Sequence, residues 1–87
     1  LTVQNITPDI AQSLGLEARE GVVISDVESG SPAAEAGLRR GDVIVEANRR
    51  PVADIDDFNN AMQTGKETHL FLIQRQDNTF YVAIKTG

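Results

Sequence analysis

The sequence predicts an α+β domain with a mostly antiparallel sheet. Three observations carry that prediction. Apolar segments of strand type interleave with short capped helical segments in the order β-α-β-α-β-β-α-β-β. The last two strands are separated by a connection of hairpin length. The chain has 87 residues, of which 40% are hydrophobic, and surface scaling for that size leaves about 60% of the unfolded surface buried, enough for one thin core and no second one.

Leu1 to Ile6 alternates apolar and polar residues, the pattern of a half-buried strand. Thr7-Pro8-Asp9 then starts a helix, with Thr7 as N-cap, Pro8 in the first turn and Asp9 facing the positive end of the dipole. Gly15 closes it. Gly21 to Val27 is rich in β-branched residues and reads as a buried strand. A second short helix is expected from Ser31 as N-cap and Pro32 to an exit at Gly37. Val43 to Asn48 is another strand, and Pro51-Val52 begins a short extended return. Asp54 opens the third helix, whose first turn holds three carboxylates, and Gly65 ends it. Thr68 to Arg75 and Thr79 to Lys85 flank the turn Gln76-Asp77-Asn78.

Composition removes several classes of function. The net charge of −5 disfavours nucleic acid and anionic membrane surfaces as partners. Arg39-Arg40 and Arg49-Arg50 are local exceptions and read as solvated turns. No apolar run has the length of a membrane span. The absence of cysteine excludes disulfides and thiolate metal sites, and suits cytosol and periplasm equally.

No catalytic constellation is visible. His69 is the only histidine, lies inside a strand in the opposite phase to Thr68, Leu70 and Leu72, and has no second ligand at metal-binding spacing. None of Ser13, Ser25, Ser29 or Ser31 stands in a nucleophile elbow. The cluster Asp54, Asp56, Asp57 lacks the alternating ligands and turn glycine of a calcium loop and is explained by helix capping. No metal site and no cofactor are expected, and the chain by itself is expected not to be an enzyme.

One stretch is specific. Gly30-Ser31-Pro32-Ala33-Ala34-Glu35-Ala36-Gly37-Leu38, then Arg40-Gly41-Asp42-Val43-Ile44, then the turn at Asn48, resembles a bacterial-type PDZ domain. Leu1 to Ala11 with Leu14-Gly15-Leu16, and the ending Leu70 to Arg75 with Phe80 to Ile84, extend the resemblance over the whole chain. It is similar to PDZ domains of the periplasmic HtrA (Do-like) serine protease family, most of all the second, C-terminal one. The resemblance implies a PDZ fold, a small, mostly antiparallel β-barrel or sandwich with two to three short helices. It implies that residues 1–87 form a single domain excised from a larger trypsin-like protease, with the carboxylate-binding loop truncated upstream of Leu1. Location in the bacterial periplasm and a role in protein quality control follow from the same likeness. The implied partners are C-terminal or unfolded peptide segments, the protease domain and other PDZ domains of the parent, with no nucleic acid and no membrane insertion.

In that family the peptide adds a strand to the edge of the first strand, opposite the last helix. The expected peptide-binding residues are therefore Leu1, Thr2, Val3 and Gln4 on the strand, and Ile55, Asp56, Asn59, Met62 and Gln63 on the helix. Residues 55, 59, 62 and 63 recur at i, i+4, i+7 and i+8 and share one stripe, with Phe58 and Ala61 rotated toward the core. Leu1, Val3 and Met62 would form an apolar pocket, and Asp56 and Asn59 would meet upstream side chains. Ile55 and Met62 also suit plain core packing, and Asn59 and Gln63 plain solvent exposure. Two other readings stay open at this point: an oligomer-assembly module of the same protease, or the PDZ domain of a membrane-embedded regulatory protease.

Overall fold

The computed structural model describes residues 1–16, 20–63, 67–76 and 78–85. The elements are β1 (Thr2–Asn5), α1 (Pro8–Leu14), β2 (Val22–Asp26), α2 (Pro32–Glu35), β3 (Val43–Ala47), β4 (Arg50–Pro51), α3 (Ile55–Met62), β5 (Thr68–Arg75) and β6 (Asn78–Lys85). Their order is the one the sequence predicts. The expected helix end at Gly65 and the turn residue Asp77 lie outside the described residues.

Local chemistry explains the helix starts. Thr7 Oγ1 accepts from the Ile10 N–H at 3.1 Å, and Ser31 Oγ accepts from the Ala34 N–H at 3.2 Å. Asp54 Oδ1 accepts from the Asp57 N–H at 2.9 Å, while Asp57 Oδ2 accepts from the Ala53 N–H at 3.0 Å. Each cap satisfies an N–H that the helix cannot bond internally.

The strands form one sheet in the order β1-β2-β3-β5-β6, with β4 paired to β3, and every pairing is antiparallel. β3 and β4 meet through a turn in which both Asn48 (φ 53°) and Arg49 (φ 65°) have positive φ, as the tightest hairpin turns require. Val22, Ile24, Ile44, Ala47, Phe71 and Ile73 are the most deeply buried strand residues of the core cluster, which α2 and α3 cover with Ala33, Phe58 and Ala61. Phe58 and Phe71 pack with ring centroids 5.9 Å apart. The buried face of β5 is His69, Phe71 and Ile73, so the alternation read from the sequence is present, with the histidine on the core side.

Two register shifts bend the sheet. Thr2 lies opposite Asp26 and Val3 opposite Ile24, so Ser25 is passed over and its hydroxyl donates to the Thr2 carbonyl at 3.2 Å. Ile44 lies opposite Ile73 and Glu46 opposite Leu72, which passes over Val45. The Val45 carbonyl then accepts from the Val52 N–H at 3.0 Å. In both cases the bulge residue makes a bond other than the regular rungs of the shifted ladder.

Candidate functional site

β1 is an end strand of the sheet, and α3 packs beside it. The two are tied at one end, where Asn5 Oδ1 accepts from the Ile55 N–H at 2.7 Å. That bond satisfies an N–H in the first turn of α3 and sets the helix start against the end of the strand. Sequence reasoning did not single out Asn5; an amide side chain inside the alternating segment carries no local mark of a contact fifty positions away.

The candidate residues divide by burial. Val3, Ile55 and Met62 are half-buried and pack against the core cluster. Leu1 is 42% exposed. Thr2, Gln4, Asp56, Asn59 and Gln63 are exposed. On α3 the half-buried Ile55 and Met62 therefore share a stripe with the exposed Asn59 and Gln63, while Phe58 and Ala61 face the core. Packing against the core and a remaining accessible surface coexist at Ile55 and Met62, so the two roles left open by the sequence are compatible. The three carboxylates have different duties: those of Asp54 and Asp57 cap the helix, whereas Asp56 makes no hydrogen bond or ion pair among the described residues.

The far end of α3 is held by Asn48. Its Oδ1 accepts from the Leu70 N–H at 3.0 Å, and its Nδ2 donates to the Ala61 carbonyl at 3.1 Å. Those two backbone partners orient the amide, so Nδ2 also donates to His69 Nδ1 at 2.9 Å, and Nδ1 accepts. His69 is thus a buried structural link that stacks on Phe71, with centroids 6.4 Å apart. Among the described residues, no group of three or more His, Cys, Asp or Glu is placed to hold a metal ion. Asn48→Gly keeps the positive φ and removes only the side-chain bonds. It is expected to cost about 2 kcal/mol in urea denaturation, with the amide signals of Ala61 and Leu70 the most displaced in an NMR spectrum.

Comparison with known proteins places this geometry. The sequence profile of the PDZ domain family matches residues 23–75. A probable DegP-like periplasmic serine endoprotease of Chlamydia trachomatis is 38% identical over 86 residues, which is 97% of this chain and 17% of that protein. The periplasmic serine endoprotease DegP of Escherichia coli K12 is 36% identical over 66 residues, 76% of this chain and 14% of that protein. This chain thus spans about a sixth of the length of such relatives. Among solved structures, the HtrA3 PDZ domain bound to a phage-derived ligand (FGRWV) superposes with a TM-score of 0.84 at 26% identity, covering 98% of this chain and 79% of that one. The HtrA-type protease AlgW with a decapeptide gives 0.83 at 28%, covering 98% of this chain and 27% of that one. An antiparallel sheet with an open first strand beside its last helix, and a family profile over more than half of its length, establish that this chain belongs to the PDZ domain family, in the form carried by HtrA-type serine proteases.

Proposed function

We propose that this domain is a non-catalytic peptide-binding module of a periplasmic HtrA-type serine endoprotease. It takes hydrophobic C-termini or unfolded segments by strand addition to β1, and so recruits substrate or regulates the protease in protein quality control. The observation that carries this reading is the unpaired edge of β1 beside an α3 stripe that offers both apolar and polar side chains. Solved HtrA-type relatives described with bound peptide support it, as do relatives named periplasmic serine endoproteases. On this reading hydrolysis belongs to another domain of a longer protein.

The mechanism follows from strand pairing. Backbone groups of the peptide bond to the β1 edge and supply affinity with little sequence choice. The last side chain enters the apolar surface of Leu1, Val3 and Met62, where the flexible thioether tolerates different shapes. A peptide with its terminus at Leu1 runs antiparallel to β1 toward Asn5, and so toward the N-terminal turn of α3. Its upstream residues then pass Asn59 and the exposed carboxylate of Asp56, whose charge attracts a cationic side chain there.

A peptide titration followed by NMR tests this. Shifts should gather on Leu1 to Gln4 and on Ile55, Asn59, Met62 and Gln63, with a dissociation constant of about micromolar or weaker, or roughly −8 kcal/mol at most. Met62→Lys should weaken binding about tenfold or more, because an ammonium beside the pocket must be desolvated. The fold should survive, since a half-buried lysine can extend its head to water. Shifts confined to Ser31–Leu38, with Val3 and Met62 silent, would reject the groove and favour the oligomer-assembly role.

A further inference from the structure

We propose that a second cleft, separate from β1 and α3, docks a short protein segment bearing carboxylates next to an aliphatic side chain. The cleft has a volume of about 340 Å³ and opens between the end of α1, the turn before β3 and the end of β5. Leu14 and Leu16 line it with apolar surface, and Arg39, Arg40, Gln74 and Gln76 line it with polar groups. Two independent features make it a docking surface. Leu14 is 47% exposed, on a helix that buries none of its residues. Arg39 and Arg40 are both exposed and neither forms an ion pair among the described residues.

The carboxylate of the same turn does not neutralise these two cations. Asp42 accepts from the Arg39 backbone N–H at 2.9 Å, from Arg75 Nε at 2.8 Å and from an Arg75 terminal nitrogen at 2.6 Å. Its charge is matched by Arg75, so no carboxylate among the described residues pairs with Arg39 or Arg40. Guanidinium groups hydrate weakly and pair with carboxylates in planar geometry. The glutamine amides suit a peptide backbone, and the exposed leucine suits an aliphatic side chain.

The probe is the peptide acetyl-Asp-Leu-Glu-Leu-amide, blocked at both ends so that it offers no terminal carboxylate. In an NMR titration of the chain, shifts are expected at Leu14 to Leu16, Arg40 to Val43 and Gln74 to Gln76, weakening as salt rises. The double variant R39A/R40A should bind about two- to thirtyfold more weakly, the summed effect of two exposed ion pairs. Its melting temperature and its response to a hydrophobic C-terminal peptide should not change, which separates this cleft from the β1–α3 groove. Silence of the cleft at millimolar peptide would overturn the proposal. So would an equal response to acetyl-Lys-Leu-Lys-Leu-amide, or to inorganic phosphate alone. Peptide-independent self-association in ultracentrifugation, abolished by R39A/R40A, would assign the surface to a second copy of the chain and likewise overturn it.

Discussion

Gly21→Ala is expected to lower stability by about 2–6 kcal/mol, the sum of a strained backbone and an overpacked site. Gly21 is buried at the entry to β2, has φ 119°, and donates its N–H to the Ala53 carbonyl at 3.1 Å. A Cβ there would stand 2.7 Å from the Ile44 carbonyl oxygen and 3.1 Å from Val43 Cγ1. The near atom is backbone of the central strand β3 and cannot rotate away. A domain of this length holds about 4–13 kcal/mol in total, so the loss is a large share of it. Gly37 supplies the control. Its φ is 91°, yet a Cβ would meet nothing within 4 Å, so Gly37→Ala carries only the backbone term of about 1–3 kcal/mol. Gly37→Val is poorly tolerated for the same reason. Urea denaturation of both alanine variants checks the pair, and equal losses would contradict the clash at Ile44.

Asp42→Ala is expected to cost about 2–4 kcal/mol. Breaking a buried ion pair by removing one partner costs about 3–5 kcal/mol, and the partial exposure of Arg75 lowers that figure. The Asp42 side chain is 4% exposed and that of Arg75 is 31% exposed. Loss of the carboxylate orphans the Arg39 N–H and leaves a guanidinium held, among the described residues, by the Gly37 carbonyl at 2.9 Å and the face of Phe80, 4.9 Å from the ring centroid. The hydrogen bond to Asp42 raises the Arg75 pKa above its ordinary value; partial desolvation opposes this and the charge of Asp42 adds to it. A raised pKa gives stability that is complete below the ordinary value and lost only above the folded one. The arginine therefore adds no pH dependence in the neutral range. A double-mutant cycle with Arg75→Ala measures the coupling. If Asp42→Ala costs as much without Arg75 as with it, the pair does not hold β5 to the turn before β3.

Much of the candidate site was legible because its signals are local. The stripe of Ile55, Asn59, Met62 and Gln63 follows from helical period, and the inward turn of Phe58 and Ala61 from the same period. The alternation of Leu1 to Gln4 named the strand. Illegible were the bonds that hold strand and helix at their distance, namely Asn5 to Ile55 and Asn48 to Ala61. Both pair a short amide side chain with a backbone group on another element, and an asparagine in a turn looks the same whether its side chain meets solvent or a helix. The passing-over of Ser25 was likewise hidden, since a bulge depends on what the partner strand does.

By itself the sequence determined the element order, the helix starts at Thr7, Ser31 and Asp54, and the core face of α3. Capping and periodicity involve residues within about four positions of one another, where covalent connection already imposes proximity. The tertiary structure alone decided that His69 is a buried link to Asn48, that Asp42 spends its charge on Arg75 and leaves Arg39 and Arg40 without an ion pair among the described residues, and that Gly21 rather than Gly37 is the glycine pressed against backbone. Each of these joins residues 21 to 33 positions apart. Which distant groups meet is set by how the sheet and helices share one core, and no local preference of the chain encodes that meeting.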